Sequence, residues 1–388
     1  MIWTPVKKQQ GLRLEIERGE SKVAYFNLKN TKITAIAAAV PDDLEYTADY
    51  AEQFGMDYVK KFIQSTGIES RYTTHRLGVT ASDLCFAAAE KILSELDYDR
   101  NKVDALIYIA AYRDYVSPST ACILQERLKL SDECVCYDVP LECSAYVYGL
   151  YLAAMHINSG CRTVLLLTGA ADSQLPDTYT FQELPMLLGH AGTATLLEYD
   201  ESAEPMYGLL RSIGRGASLI IAPYGGQRHP LKMMVEDLGL EKAVELHQKP
   251  YMEGMDVMRF SLTDVVRMVK DFKAHFQCDF EQYEIFACHQ ANKLIINSLI
   301  RKIRFPSERV PLTITEYANT SGASIPLTIC HHYSGLTEKS SSGKCLACGF
   351  GIGLSLGIVS TKVDPARCFP IIKVRERYDD GLTYEKYN

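Results

Sequence analysis

Cys143, His289 and Asn319 each stand where an apolar run gives way to a loop and then to a helical pattern. In α/β proteins such positions gather at the carboxyl edge of the sheet, where ligands bind. A cysteine, a histidine and an asparagine brought together there make a nucleophile and two hydrogen-bond donors. Residues 134–139, ahead of Cys143, alternate like a strand, and Pro140 ends the ladder because it has no N–H to donate. Residues 144–157 are apolar almost all the way round, as in a helix buried on every face. Asn158-Ser159-Gly160 stops that helix, with Gly160 in the capping place. A thiol at the N-terminus of such a helix feels the positive end of the aligned peptide dipoles, so its pKa is expected to fall. Each of the three residues also has an ordinary structural reading. Cys143 suits a buried core, His289 a satisfied core histidine, and Asn319-Thr320-Ser321-Gly322 a helix-capping turn.

The elements that must hold these residues follow from hydrophobic pattern. Residues 33–40 and 105–110 are apolar runs of buried-strand length, and 163–168 and 193–197 are strand-like. Thr80-Ala81-Ser82-Asp83 opens a helix through Leu96 as a capping box. Ser117-Pro118 starts another, with proline at the first helical position. Further on, 218–222, 284–288, 310–314, 344–348 and 354–360 read as strands, and 256–276 and 292–303 as helices, with one more helix from Gly322. Strands apolar on both faces, alternating with helices, predict a largely parallel sheet covered on each side. Two α/β halves meeting near Gly208 are expected, without a residue-level internal repeat. The expected division is an extension over 1–30, a first half over 31–206 with the cysteine, a second half over 207–363 with the histidine and asparagine, and a peripheral tail over 364–388. Within the extension, Gly19-Glu20-Ser21 reads as a turn between two short strands.

The chain of 388 residues is 47% hydrophobic and 23% charged, an ordinary globular composition with room for one large core or two smaller ones. Its formal net charge of -7 argues against a general nucleic-acid binder. No apolar run is long enough to span a bilayer, and the first residues hold no signal-peptide core. Twelve cysteines in that setting predict a cytoplasmic protein with free thiols. Cys345-Leu346-Ala347-Cys348 has redox or zinc spacing, but it lies in an apolar run with no second ligand pair nearby, so it reads as core strand and no metal is expected.

His289-Gln290-Ala291-Asn292 and Asn319-Thr320-Ser321-Gly322-Ala323-Ser324 resemble the histidine and asparagine motifs of β-ketoacyl-acyl-carrier-protein synthase III. Their separation of 30 residues suits that family, and Glu142-Cys143-Ser144-Ala145 takes the place of its cysteine motif. Thr66-Gly67-Ile68-Glu69-Ser70-Arg71 matches an N-terminal landmark, and Cys348-Gly349-Phe350-Gly351 resembles its C-terminal glycine loop. The resemblance runs from about Lys32 to Lys362 in the right order. It implies the thiolase fold: two similar α/β halves in five αβαβα layers, usually a homodimer. It also implies an acyltransferase that condenses a cysteine-bound acyl group with a malonyl thioester, losing CO2 and giving a 3-oxoacyl product. Cys143 would carry the acyl group, backbone N–H groups of Cys143 and Phe350 would form the oxyanion hole, and His289 and Asn319 would donate to the malonyl thioester. Asn292, Gly349 and Gly351 would contact substrate, and Lys293, Arg301 and Lys302, with Arg304 close by, would meet an acidic acyl carrier protein. No permanently bound cofactor is implied; acyl-coenzyme A or acyl-carrier protein and malonyl-carrier protein are the substrates.

Several positions depart from the family pattern. The usual Gly-Asp-Gly-Ala stretch reads Gly189-His190-Ala191-Gly192, and an aromatic beside the acyl pocket becomes Ser117. The tryptophan and arginine that sandwich the adenine of coenzyme A become Lys61 and Gln182, which favours a carrier-bound acyl donor. A papain-like peptidase shares the Cys, His, Asn order but not the local cysteine signature. A 3-hydroxy-3-methylglutaryl-coenzyme A synthase needs an upstream glutamate, and Ala110-Ala111-Tyr112-Arg113-Asp114 offers only an offset aspartate. Two other readings stay open. One is an acyl-transfer relative that does not decarboxylate, in secondary metabolism or glycan assembly; the other is a catalytically silent partner subunit, against which the intact triad argues.

Overall fold

The computed structural model describes residues 24–171, 184–336 and 342–382. The Gly19-Glu20-Ser21 turn and Gln182 lie outside the described residues. The apolar runs become β1 (Ala24–Leu28), β2 (Thr31–Pro41), β3 (Ala105–Ile109), β4 (Val135–Val139), β5 (Thr163–Ala170) and β6 (Ala191–Tyr199). The second half adds β7 (Met206–Ser212), β8 (Ile285–Cys288), β9 (Lys344–Gly351), β10 (Ser355–Lys362) and β11 (Ile372–Val374). The main helices are α1 (Met56–Thr66), α2 (Ala81–Glu95), α3 (Thr120–Arg127), α4 (Ala145–Asn158), α5 (Gly254–Phe276), α6 (Lys293–Ile303) and α7 (Ser324–Ser334).

One sheet runs in the order β11-β2-β6-β5-β3-β4 and the other β1-β7-β10-β9-β8. The run β2-β6-β5-β3 and the run β7-β10-β9-β8 share one pattern of directions: antiparallel, antiparallel, parallel. The duplication is thus plain in pairing although no residue repeat marks it. Both sheets are mixed rather than largely parallel, because β6 and β10 each run against both neighbours. Buried apolar faces do not disclose strand direction, so the sequence could not separate the two.

Strand alternation sorts the layers. In β2, Ala35, Ala37 and Ala39 pack outward on α2 residues such as Leu84 and Ala88, while Ile36, Ala38 and Val40 face the centre. The central layer is α4 and α7. Leu150, Ala153, Ile325 and Ile329 there meet Ile107 and Leu166 of the first sheet and Ala287 and Val359 of the second. Outside the second sheet, Val265 and Phe272 of α5 and Leu299 of α6 cover Phe286, Leu346 and Ile358. The result is five αβαβα layers, the thiolase fold. Cys345 faces the central layer and Cys348 the outer one, so the pair cannot join in a disulfide or share a metal.

The Thr80–Asp83 capping box is present, with the Asp83 N–H on Thr80 Oγ1 at 3.3 Å and the Thr80 N–H on Asp83 Oδ2 at 3.0 Å. Other expectations need correction. Pro118 precedes α3 rather than opening it; the helix begins at Thr120 because the Asp138 carboxylate accepts both the Thr120 and Ala121 N–H groups at 2.8 Å. Residues 218–222 hold only the end of a short 3-10 helix and the two-residue strand Ile220–Ile221. No strand forms over 310–314. The buried Gln290 side chain binds the backbone there instead, donating to the Pro311 carbonyl at 3.3 Å and accepting from the Thr313 and Ile314 N–H groups at 3.1 and 3.2 Å.

The chain ends also differ from the expected division. β1, placed in the extension, edges the second sheet through β7, with Phe26 opposite Gly208. The tail is not peripheral, since β11 pairs in parallel with β2 and edges the first sheet. Each end of the chain therefore reinforces the half contributed by the other.

Candidate active site

The turn after β4 delivers Cys143 to the start of α4, in the seam between the halves. Ser144 Oγ meets Ser355 Oγ at 2.6 Å, tying the first turn of α4 to β10. Glycines permit the close approach. A Cβ on Gly351 would fall 2.5 Å from Cys143 Cβ and 2.8 Å from its Sγ, and one on Gly322 would fall 2.9 Å from the Glu142 carbonyl oxygen. Gly349 likewise lies against Ser144, where a Cβ would sit 3.0 Å from Cα. Gly349 and Gly351, expected to contact substrate, here make room for the cysteine segment itself.

Cys143 Sγ lies 3.8 Å from Ser321 Oγ. Burial above all, and then the neighbouring Glu142 carboxylate, push the Cys143 thiol up to about 12. The Ser321 hydroxyl and the backbone N–H groups of Ile352 and Cys143 pull the other way. This reverses the expected fall in pKa: closure of the halves takes the sulfur out of water, and its chain neighbour is an acid. The oxyanion donors were expected at the N–H groups of Cys143 and Phe350. The backbone group on the sulfur belongs to Ile352, because β9 runs on through Gly351 and turns only at residues 352–354. Phe350 instead turns its ring edge-on to His289, with centroids 5.6 Å apart and planes at 87°.

His289 leaves the end of β8, its N–H on the Cys348 carbonyl at 2.8 Å and its Nδ1 2.9 Å from Ser324 Oγ. Burial pushes the His289 pKa down to about 4, opposed in part by a hydrogen bond with the Ser321 backbone. The imidazole is therefore neutral near pH 7. Asn319 is clamped on both sides: its N–H donates to the Leu187 carbonyl and its carbonyl accepts from Gly189 N–H, each at 3.0 Å. Its Oδ1 accepts the Ser321 N–H at 2.9 Å, which leaves the side-chain NH2 as the end able to donate. Ala318 and Ser321 flank it at φ 54° and 42°, left-handed positions that non-glycine residues hold at a cost of roughly 1–3 kcal/mol. Cys143, His289 and Asn319 thus converge on Ser321, a residue the sequence offered within a cap and the asparagine motif but with no role of its own.

The clamp on Asn319 reaches back to the N-terminal landmark. Arg71, almost wholly buried, donates to the Leu188 carbonyl at 2.9 Å and to Glu45 Oε2 at 2.7 Å. A cavity of about 60 Å³ opens beside the site, lined by Glu142, His190, Asn319 and Ser321 and walled by small residues including Ala81, Ala110 and Ala170. His190 stands where an aspartate is usual, with its Nδ1 accepting the Thr74 N–H at 2.9 Å.

Asn292 caps α6, its Oδ1 accepting the Ile295 N–H at 2.8 Å, so only its NH2 is left for a substrate arm. Lys293 packs its stem over Gly67, and Arg301 is exposed two turns on. Lys302 departs from the expected docking set: it lies half a turn round α6 from Lys293, and its Nζ donates to the Leu262 carbonyl at 3.1 Å. Lys61 is exposed on α1, and Ser117 is exposed on its loop. No cluster of potential metal ligands occurs among the described residues, and none of the described helices is long and apolar enough to cross a membrane.

Comparison with known proteins matches residues 137–212 to the family described as 3-Oxoacyl-[acyl-carrier-protein (ACP)] synthase III, and residues 274–363 to its C-terminal part. The β-ketoacyl-[acyl-carrier-protein] synthase III of Rhodopirellula baltica is 29% identical over 356 residues, covering 85% of this chain and 98% of that one. The crystal structure of a 3-oxoacyl-(acyl-carrier protein) synthase from Burkholderia xenovorans LB400 superposes with a TM-score of 0.81 at 29% identity, over 91% of this chain and 99% of that one. The priming β-ketosynthase of the R1128 polyketide pathway superposes with a TM-score of 0.74 over 87% and 98% of the two chains. At 20% identity that last likeness is one of fold.

Proposed function

Because this chain belongs to the 3-oxoacyl-[acyl-carrier-protein] synthase III family of condensing acyltransferases, we propose that it joins a Cys143-bound acyl group to a malonyl thioester with loss of CO2. The observation that carries the reading is the convergence of Cys143, His289 and Asn319 on Ser321 in the seam between the halves. Cys143 Sγ attacks the donor's thioester carbonyl, the donor's C–S bond breaks, and the thiol proton ends on the departing sulfur. N–H groups of Cys143 and Ile352 stabilise the oxyanion of that step. The malonyl thioester then loses its carboxylate as CO2, and the electron pair moves to the thioester as an enolate. A neutral His289 and the Asn319 NH2 donate to the enolate oxygen, which a dry site makes more effective. The enolate carbon attacks the acyl group, and collapse expels the Cys143 thiolate and the 3-oxoacyl thioester. The thiolate takes a proton from solvent, which the raised thiol pKa favours.

Acyl and malonyl groups arrive on acyl carrier protein, whose acidic surface meets Lys293 and Arg301 on α6; the NH2 of Asn292 meets the pantetheine arm. A second copy of the chain joins at β4, the outer strand of the first sheet, where Val135 is 51% exposed. The test supplies an acyl thioester and malonyl-carrier protein labelled in the free carboxylate. One labelled CO2 per 3-oxoacyl product supports the proposal. Acyl transfer without labelled CO2 would make this a non-decarboxylating relative, and no acylation at all would point to a silent partner subunit.

A further inference from the structure

Cys134 and Cys136 flank Val135 at the head of β4, the strand that ends the first sheet. Residues two apart on a strand share a face, and both cysteines pack against the outer core while Val135 is exposed. Their sulfurs lie 3.8 Å apart, and Cys136 Sγ is also 3.4 Å from the Cys134 carbonyl oxygen. Both residues are only partly buried. Cys288 and Cys348 also stand opposite each other, on β8 and β9, but they are wholly buried and closed to any reagent. Cys134 lies in the bend that leads into β4, its N–H donating to the Ser131 carbonyl at 3.0 Å. Tethering to the neighbouring strand starts one residue on, with the Val135 N–H on the Asp104 carbonyl at 2.8 Å. The backbone at Cys134 can therefore shift without breaking the ladder between β3 and β4.

We propose that Cys134 and Cys136 are a redox modification site, closing into a disulfide that draws in the head of β4 and loosens its pairing with a second copy. This rests on the placing of that copy at β4 and not on the condensing chemistry. The co-reactant is a small disulfide such as oxidised glutathione. The adjoining Cys134 thiol lowers the Cys136 pKa, so Cys136 starts the exchange. Contact with Cys136, and then burial, raise that of Cys134. Cys136 Sγ attacks one glutathione sulfur, the S–S bond breaks, and one glutathione leaves with the Cys136 proton. Cys134 Sγ then attacks Cys136 Sγ, and the second glutathione leaves with the Cys134 proton. Two electrons thus pass from the cysteine pair to the glutathione disulfide, which becomes two thiols. Cα atoms two residues apart in an extended strand are separated by about 6.6 Å, whereas disulfides mostly span about 5.5–6 Å, so closure shortens the head of the strand. Pairing at a sheet edge needs that backbone extended and in register. The strain also makes the bond easy to reduce, as a reversible modification requires.

The test holds the full-length protein in glutathione buffers of rising oxidised fraction, caps the remaining thiols with N-ethylmaleimide and maps the peptides by mass. The Cys134–Cys136 disulfide should form at a lower oxidised fraction than any other thiol modification, glutathione on the exposed Cys122 included. Cys134→Ser should hold glutathione on Cys136, and Cys136→Ser should leave Cys134 unmodified at the same fraction. Sedimentation of the same samples should show a dimer under reducing conditions. Its dissociation constant should rise by at least about tenfold on oxidation, and the variant carrying both serines should keep the reduced value throughout. The wild-type series decides the matter if a variant fails to fold. Cys134 and Cys136 capped across the whole series, while Cys122 carries glutathione, would overturn the proposal. The disulfide with an unchanged dissociation constant would overturn it too, and leave the dimer standing. A monomer in every buffer would overturn it together with the dimer at β4, while acyl loading of Cys143 in those samples reports on the condensing reading separately.

Discussion

Burial sets the resting charge of the two reactive groups in the same sense. Cys143 is pushed up to about 12 and His289 down to about 4, so near neutral pH the site holds a thiol and a neutral imidazole rather than an ion pair. Chemical labelling should reflect this. At pH 7.5 iodoacetamide should modify the exposed Cys122 before Cys143, and peptide mapping that found Cys143 alkylated first would contradict the burial argument. The neutral His289 also has a stability signature. Its folded pKa lies below the unfolded value, so protonation favours the unfolded chain as pH falls from about 6.5 towards 4. Denaturation midpoints should drop over that window, and the drop should be shallower in His289→Asn. For catalysis, His289→Ala and Asn319→Ala should each lose about 10²–10³ in condensation while still accepting an acyl group. Equal loss of both half-reactions would place these residues in acylation instead. Cysteine, histidine and asparagine were legible because each sits in a short local motif at a turn. Ser324 on His289, Ile352 at the sulfur and Arg71 behind Leu188 were not, because these contacts join residues distant in sequence.

At the scale of elements, the cysteine works because β9 and α4 approach at glycine. Gly351→Ala would set a methyl group against Cys143 Sγ, at a spacing no relaxed side chain tolerates. Acyl loading should fall by at least about tenfold, the counterpart of 1.4 kcal/mol, with the secondary structure by circular dichroism unchanged. Loading at the wild-type rate would mean that the seam is looser than it stands here. Most elements were readable from hydrophobic period and caps, and the Thr80 capping box is the clearest instance. The failures share a cause. At 310–314 a buried Gln290 side chain replaced a ladder, and at α3 the cap came from Asp138 on a neighbouring strand. A local pattern cannot report a partner supplied by tertiary structure.

Over the whole molecule, the ends of the chain cross to opposite sheets. β1 edges the second sheet and β11 the first, and Tyr378 then stacks on Arg127. Removing residues 364–388 should therefore lower Tm by more than about 5 °C, the effect of a few kcal/mol on a chain of this size. An unchanged Tm would return the tail to a peripheral role. The sequence hid this because both segments are short, and an edge strand carries little hydrophobic signal. The two-half architecture was legible through the family motifs, while strand direction waited for the pairing itself. The central claim is that Cys143 carries the acyl group between donor and malonyl thioester. Intact-mass measurement after mixing with acyl-carrier protein tests it most directly. The wild type should gain the mass of one acyl group, mapped to the Cys143 peptide, and Cys143→Ala should gain none. An acyl adduct that persists at the wild-type rate in Cys143→Ala would contradict the account.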